Sequence, residues 1–131
     1  MATTGASIIF VMTGGADEAA KIARSLVSER LAACVNIVGP VRSIYRWRGA
    51  IEETAEHLLV IKTRASLYAA LERRVIELHS YEVPEVIALR IARGSKAYLE
   101  WLTASADARP PRISTRARAG TRRAVRMGAR Q

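Results

Sequence analysis

Several residue types are scarce in this sequence, and each shortage excludes a class of protein. The chain of 131 residues has one cysteine, which excludes a disulfide within the chain and fits a reducing compartment. No apolar run approaches the roughly 18 residues of a membrane-spanning helix. No basic stretch precedes the first apolar run, as a secretory signal would require. We therefore expect a cytoplasmic protein of one domain with no membrane partner.

Acidic residues are absent from the C-terminal end of the chain. Residues 1–107 hold 13 Lys+Arg and 12 Asp+Glu, whereas residues 108–131 hold eight arginines and no acid. This composition predicts a flexible N-terminus at 1–6, a folded domain at 7–106 and an Arg-rich disordered tail at 107–131. Such a tail would contact anionic polymers such as nucleic acid regardless of their sequence, unless it is only a solvated extension.

The sequence also lacks the motifs of the common enzyme classes. It contains no G-x-G-x-x-G or P-loop pattern, no H-E-x-x-H and no C-x-x-C, and no Ser-His-Asp signature is recognisable. Gly14 and Gly15 follow an apolar run, which is typical of a turn after a strand. We expect a protein that is not an enzyme.

A long β-hairpin organises the rest of the sequence. The stretch Ser43–Lys62 turns at Arg48-Gly49-Ala50, where Gly49 can adopt a positive φ. Its inner part is apolar enough for a buried strand, but its outer part carries aromatic residues, arginines and glutamates. Arms of this length outreach most small sheets. The outer half of the hairpin therefore predicts contact with another chain.

Opposite charges on the two arms predict ion pairs across the hairpin. The outgoing arm carries three arginines and the return arm three glutamates, namely Arg42, Arg46, Arg48, Glu52, Glu53 and Glu56. Cross-strand pairing is the role we favour for them. A catalytic pair of acids is the alternative, but no nucleophile accompanies them.

Apolar periodicity predicts the remaining elements. A continuous run predicts a central strand at Ser7–Met12, and three- and four-residue spacing predicts amphipathic helices at Asp17–Leu31 and Ser66–His79. We expect Thr63 to cap the second of these helices and Ser95 to cap a short C-terminal helix.

Two further strands complete the pattern. One is predicted at Ala33–Val38, bends or bulges at Gly39-Pro40 and resumes at Val41–Arg48, and the other spans Val86–Ile91. The order β-α-β-β-α-β with a short C-terminal helix predicts an α+β fold of the ferredoxin-like, split βαβ type. Both helices would cover one face of the sheet, so the other face calls for a partner.

Three single residues are candidates for chemistry. His79 ends a helix beside Tyr81, Glu82 and Glu85, which is compatible with a metal or proton site or, as we favour from the residues alone, with a helix C-cap. His57 lies in the hairpin and is expected to be solvated or packed. Cys34 lies in an apolar run and is expected to be a small buried residue rather than a reactive thiol.

Several motifs in sequence order resemble the CutA divalent-cation tolerance family. They are LVSERLAACVNI at 26–37, SIYRWRG at 43–49, Glu56, Lys62-Thr63, HSYEVPEVIAL at 79–89 and G-x-x-x-YLEW at 94–101. The resemblance covers about Ser7–Leu102. It implies a ferredoxin-like subunit in a homotrimer whose long hairpins cross to neighbouring subunits, with a role in tolerance of copper and other divalent cations.

The resemblance also implies a weakly bound metal ion, copper or another divalent cation. Some bacterial members carry a cysteine where this chain has Met12, and a His-His pair where it has Leu78-His79. His79 is then the main ligand, and Met12, Glu82 and Glu85 are its helpers. The alternative function is a trimer that senses a small molecule or signal in the clefts between subunits, like the P-II regulators of the same architecture.

Overall fold

The computed structural model describes residues 4–108. The elements are β1 (Ala6–Thr13), α1 (Ala16–Ser28), β2 (Cys34–Trp47), β3 (Ala50–Arg64), a short 3₁₀ turn (Ala65–Leu67), α2 (Tyr68–Leu78), β4 (Val86–Arg90) and α3 (Lys96–Ser105). This order confirms the predicted α+β, ferredoxin-like class. The Arg-rich segment at 109–131 lies outside the described residues, so its predicted disorder and the domain boundaries stay predictions. No helix within 4–108 is both long enough and apolar enough to cross a membrane.

One antiparallel sheet of four strands, in the order β2-β3-β1-β4, carries the fold. Side chains alternate between its two faces. Ile9 and Val11 on β1, with Leu59 and Ile61 on β3, lie on the face that packs against α1 and α2, and they are fully buried. The helices supply Ile22, Leu26, Leu71 and Val75 to the same core.

The second face of the sheet, which we call the open face, is apolar and is not covered by α1 or α2. It carries Phe10 on β1, which pairs with Ile87 on β4, and Leu89 on β4, which pairs with Ile8. Ile87 and Leu89 are each 50% exposed, and Val38 on β2 is 47% exposed. A single chain therefore leaves a contiguous apolar surface in contact with solvent.

The β2–β3 hairpin extends well beyond the rest of the sheet. β1 pairs only with the stretch of β3 from His57 to Arg64, so the seven residues 50–56 of β3 and their β2 partners project past it. At 3.3 Å per residue the projection is about 23 Å long. The turn at its tip has φ of 51° at Arg48 and 83° at Gly49, which confirms the positive φ expected of Gly49.

β2 is one strand with a bulge at the predicted Gly39-Pro40 interruption. The register with β3 shifts between Val38 and Val41, because β2 places one extra residue opposite its partner strand there. The ring of His57 packs directly against Gly39, and a Cβ at that position would lie 2.5 Å from the His57 Cδ2 atom. Glycine is therefore required at 39 by close approach.

Two expectations about single residues were wrong. Thr63 does not cap α2: it lies inside β3, fully buried, and its hydroxyl donates a 2.7 Å hydrogen bond to the Leu31 carbonyl. Cys34 is half-buried rather than buried, because it points to the open face, opposite Lys62. Ser95 does cap α3, since its hydroxyl accepts a hydrogen bond from the Tyr98 amide.

Candidate functional site

A cleft of about 730 Å³ lies between the projecting hairpin and the loop that joins α2 to β4. The hairpin supplies one wall because its strands continue where β1 has ended, and the loop supplies the other. The lining residues are Met12, Val41, Arg42, Ser43, Ile44, Tyr45, Trp47, Glu56, Tyr81, Glu82, Val83 and Glu85. Aromatic and aliphatic walls thus surround three carboxylates and one guanidinium.

Tyr81 and Glu56 join the two walls of the cleft. The Tyr81 hydroxyl donates a 2.6 Å hydrogen bond to the Glu56 Oε2 atom, and Glu56 is only 6% exposed. Burial of the phenol and its bond to the Glu56 carboxylate raise the pKa of Tyr81 above its usual range. Tyr81 therefore stays protonated as a donor at neutral pH.

His79 lies behind the cleft, with its side chain fully buried. Its Nε2 atom is 2.6 Å from the Met12 carbonyl oxygen, which can only accept, so Nε2 carries the hydrogen. Its Nδ1 atom accepts a 3.1 Å hydrogen bond from the Tyr81 amide. Both ring nitrogens are thus engaged, and His79 also occupies the C-cap position of α2, the role favoured from the residues alone.

Glu18 of α1 holds the start of the same loop. Its carboxylate accepts hydrogen bonds from the Ser80 amide at 2.7 Å and the Gly14 amide at 3.1 Å, and its Oε2 atom is 3.6 Å from His79 Nδ1. Partial burial acts to raise the pKa of Glu18, but the hydrogen bonds from Ser80 and Gly14 outweigh it and lower the pKa overall.

Glu82 and Glu85 lie at the mouth of the cleft, and both are exposed. The Glu82 carboxylate forms a 2.8 Å ion pair with Arg48 Nη2. The Arg48 guanidinium also lies over the ring of Trp47, 5.2 Å from its centroid. Partial burial of its carboxyl group and the negative charge of Glu56 raise the pKa of Glu85. The mouth of the cleft therefore holds two carboxylates, and that of Glu82 is paired with Arg48.

The structure brings three of the four predicted metal-site residues together. Met12, Glu82 and Glu85 line one cleft, whereas His79 lies behind it with both nitrogens in hydrogen bonds. Among residues 4–108, no three His, Cys, Asp or Glu side chains are grouped as metal ligands. This conformation does not present a ready-made metal centre.

The predicted ion pairs across the hairpin are confirmed only in part. Arg42 pairs with Glu53 as expected. Arg48 instead reaches Glu82 outside the hairpin, and Glu56 bonds to Tyr81. Sequence reasoning missed the part that Glu56 plays in the cleft, although its place just before the apolar run Leu58–Ile61 marks it as a residue at the edge of the buried sheet.

The same fold is found in a known family. The family model described as "CutA1 divalent ion tolerance protein" matches residues 7–105, which is most of the chain. The chain belongs to this family. The CutA1 family is named for tolerance of divalent ions and not for a reaction, and the predicted resemblance is confirmed.

Similar CutA proteins come from bacteria and plants. The divalent-cation tolerance protein CutA of Thermus thermophilus is 47% identical over 95 residues, covering 72% of this chain and 92% of the relative. The chloroplastic CutA of Arabidopsis thaliana is 47% identical over 100 residues, 76% of this chain and 55% of the relative. The chain thus spans little more than half the length of such plant relatives.

Solved CutA structures share the architecture. The Thermus thermophilus Cut A1 structure superposes with a TM-score of 0.76 at 44% identity, covering 78% of this chain and 99% of the other. The Oryza sativa CutA1 structure gives a TM-score of 0.77 at 46% identity, covering 80% and 96%. These matches establish the ferredoxin-like CutA1 fold for this chain.

Proposed function

We propose that the protein is a homotrimeric divalent-cation tolerance protein, not an enzyme, that binds copper or another divalent cation weakly. The observation that carries the proposal is the cleft beside the hairpin, which Met12, Glu82 and Glu85 line and behind which His79 lies. The single cysteine favours a reducing compartment, the cytoplasm in the first instance.

The donor set explains why binding would be weak. Carboxylates suit hard divalent ions, and the Met12 thioether suits Cu(I). His79 is the strongest candidate ligand, but its Nδ1 atom must first give up the hydrogen bond from the Tyr81 amide. That amide would then need another acceptor, and an unmade hydrogen bond costs about 1–3 kcal/mol. This cost makes the binding free energy of the ion less favourable.

The open face supports the trimer. Its exposed apolar side chains, Val38, Ile87 and Leu89 among them, would be covered by neighbouring chains, and the projecting hairpin can reach across to such a neighbour. Monomeric proteins rarely leave contiguous apolar surface of this kind in water. Assembly would also stabilise each chain, because the folded subunit is removed from the unfolding equilibrium by association.

A calorimetric titration of Cu²⁺ into the full chain tests cation binding. We expect about one weak site per chain in the parent, binding that is lost in His79→Gln, and binding that is kept in the matched control His57→Gln. Circular dichroism checks that each variant is folded. No heat in the parent, or equal binding in both variants, would contradict the proposal for His79.

A small organic ligand is the second candidate. The cleft volume of about 730 Å³ is in the range of ligand pockets. Its three carboxylates favour a cation over an anionic nucleotide. A ligand that binds only the folded state must raise the melting temperature, so melting curves with nucleotides, polyamines and divalent ions separate this function from cation tolerance.

A further inference from the structure

We infer that the cleft is the docking site for arginine side chains of this chain's own C-terminal segment, residues 109–131. The inference does not depend on cation binding, since it concerns a different occupant of the cleft. It starts from the chemistry of the lining, where aromatic rings stand beside carboxylates. That combination recognises a guanidinium group, which stacks on rings and pairs with carboxylates.

The structure already contains one arginine bound in this manner. Arg48 places its guanidinium 5.2 Å above the Trp47 ring and 2.8 Å from a carboxylate oxygen of Glu82. Trp47 and Glu82 both line the cleft. The cleft wall therefore accommodates a guanidinium between an aromatic face and an acid.

A second position of the same kind lies between Glu85, at the mouth of the cleft, and Glu56, which also lines it. Glu85 and the buried Glu56 both line the cleft, and partial burial of Glu85 together with the negative charge of Glu56 raises the pKa of Glu85. Tyr45 and Tyr81 line the cleft beside these two carboxylates. A guanidinium placed here would neutralise the charge that Glu56 and Glu85 now direct at each other.

The C-terminal segment supplies the complementary charge. Residues 109–131 contain eight arginines and no acid, whereas residues 1–107 carry nearly equal numbers of basic and acidic groups. The segment is positively charged and the cleft carries more carboxylates than guanidinium groups, so their charges are complementary. Such complementarity makes the contact between segment and cleft specific.

The segment is long enough to reach the cleft. The described chain ends beside Arg64, which pairs with Ala6 at the start of β1, whereas Met12 lines the cleft at the other end of that strand. The eight residues of β1 span about 26 Å. Twenty-three extended residues span about 75 Å, enough for the cleft of the same chain or of a neighbour in a trimer.

Limited trypsin digestion of the full chain tests the inference. The initial cleavage rate within 109–131 is measured by mass spectrometry at low salt for the parent, for Glu82→Gln/Glu85→Gln, and for the control Glu77→Gln/Glu100→Gln. The control removes the same charge from exposed residues on α2 and α3. We expect cleavage about fivefold faster in the cleft variant, as for the loss of roughly 1 kcal/mol of contact, and unchanged in the control. Equal rates in the cleft variant and the control would overturn the inference.

The fluorescence of Trp47 tests the same contact from the side of the cleft. In a Trp101→Phe background, Trp47 is the single tryptophan, and its emission should change when all eight arginines of 109–131 are replaced by glutamine or when salt screens them. Unchanged emission would overturn the inference. The assembly mass of Glu82→Gln/Glu85→Gln gives one further outcome. If this variant forms a smaller assembly but is cleaved by trypsin at the parental rate, a neighbouring folded chain fills the cleft, and the inference is overturned.

Discussion

The phenol of Tyr81 donates a 2.6 Å hydrogen bond to the buried carboxylate of Glu56, 25 positions earlier in the chain. This contact fastens the loop after α2 to the projecting hairpin and closes one side of the cleft. The Tyr81 amide donates a hydrogen bond to the Nδ1 atom of His79. One residue thus connects the hairpin, the cleft and the candidate histidine.

Replacing Tyr81 with Phe should destabilise the protein by about 1–3 kcal/mol, because it leaves the buried Glu56 oxygen without its donor. Urea unfolding at a fixed chain concentration measures the change. Tyr98→Phe is the control, since Tyr98 lies exposed on α3. A Tyr81→Phe midpoint equal to that of Tyr98→Phe would show that the contact does not hold the loop.

Gly39 should not tolerate a side chain. A Cβ there would lie 2.5 Å from the His57 ring, so Gly39→Ala should cost about 1–3 kcal/mol through overpacking. In the double variant with His57→Ala the ring is gone, and the cost of Gly39→Ala should largely disappear. Denaturant unfolding of the four proteins completes the cycle. Strictly additive losses would mean that the ring is not the obstacle.

Local patterns were sufficient to predict the element order and the hairpin turn. Alternation, apolar runs and a glycine able to adopt a positive φ are properties of neighbouring residues. They predicted the Gly49 turn, and they placed the ends of β1, α1 and α2 to within three residues. The prediction for Thr63 failed because strand β3 continues through it, and its hydroxyl partner is the carbonyl of Leu31, 32 positions away.

The candidate site depends on such distant contacts more than the fold does. Met12, Glu82 and Glu85 were predicted from the resemblance and do share a cleft. No sequence spacing indicates that both nitrogens of His79 are engaged by Met12 and Tyr81, because these partners are fixed by the packing of three separate elements. The arrangement of the candidate ligands in the cleft could therefore not be predicted from the sequence pattern.

Glu18 should give stability that depends on pH. Its pKa in the folded protein lies below the ordinary 4.5, so its charged form favours folding. That contribution is complete above about pH 4.5 and is lost as the pH falls through the folded value. Glu18→Gln should thus be less stable than the parent at neutral pH, with the difference shrinking in acid. Urea unfolding from neutral to acid pH measures this difference. Asp17→Asn is the control, because Asp17 is an exposed acid in the same helical turn. A difference that is constant with pH would refute the assignment.

The last prediction concerns the open face. Ile87 is 50% exposed on the open face and Ile76 is 53% exposed on α2, so the two isoleucines are matched in type and exposure but not in location. If neighbouring chains cover the open face, Ile87→Lys places a charge in an apolar interface and should dissociate the assembly, whereas Ile76→Lys should not.

Light scattering gives the mass, expected at three times that of the chain for the parent and for Ile76→Lys, and lower for Ile87→Lys. Cys34 gives a second readout, because it points to the same face: a maleimide should label it faster in Ile87→Lys than in Ile76→Lys. A parent that is monomeric at micromolar concentration would contradict the trimer, and the open face would then need another partner.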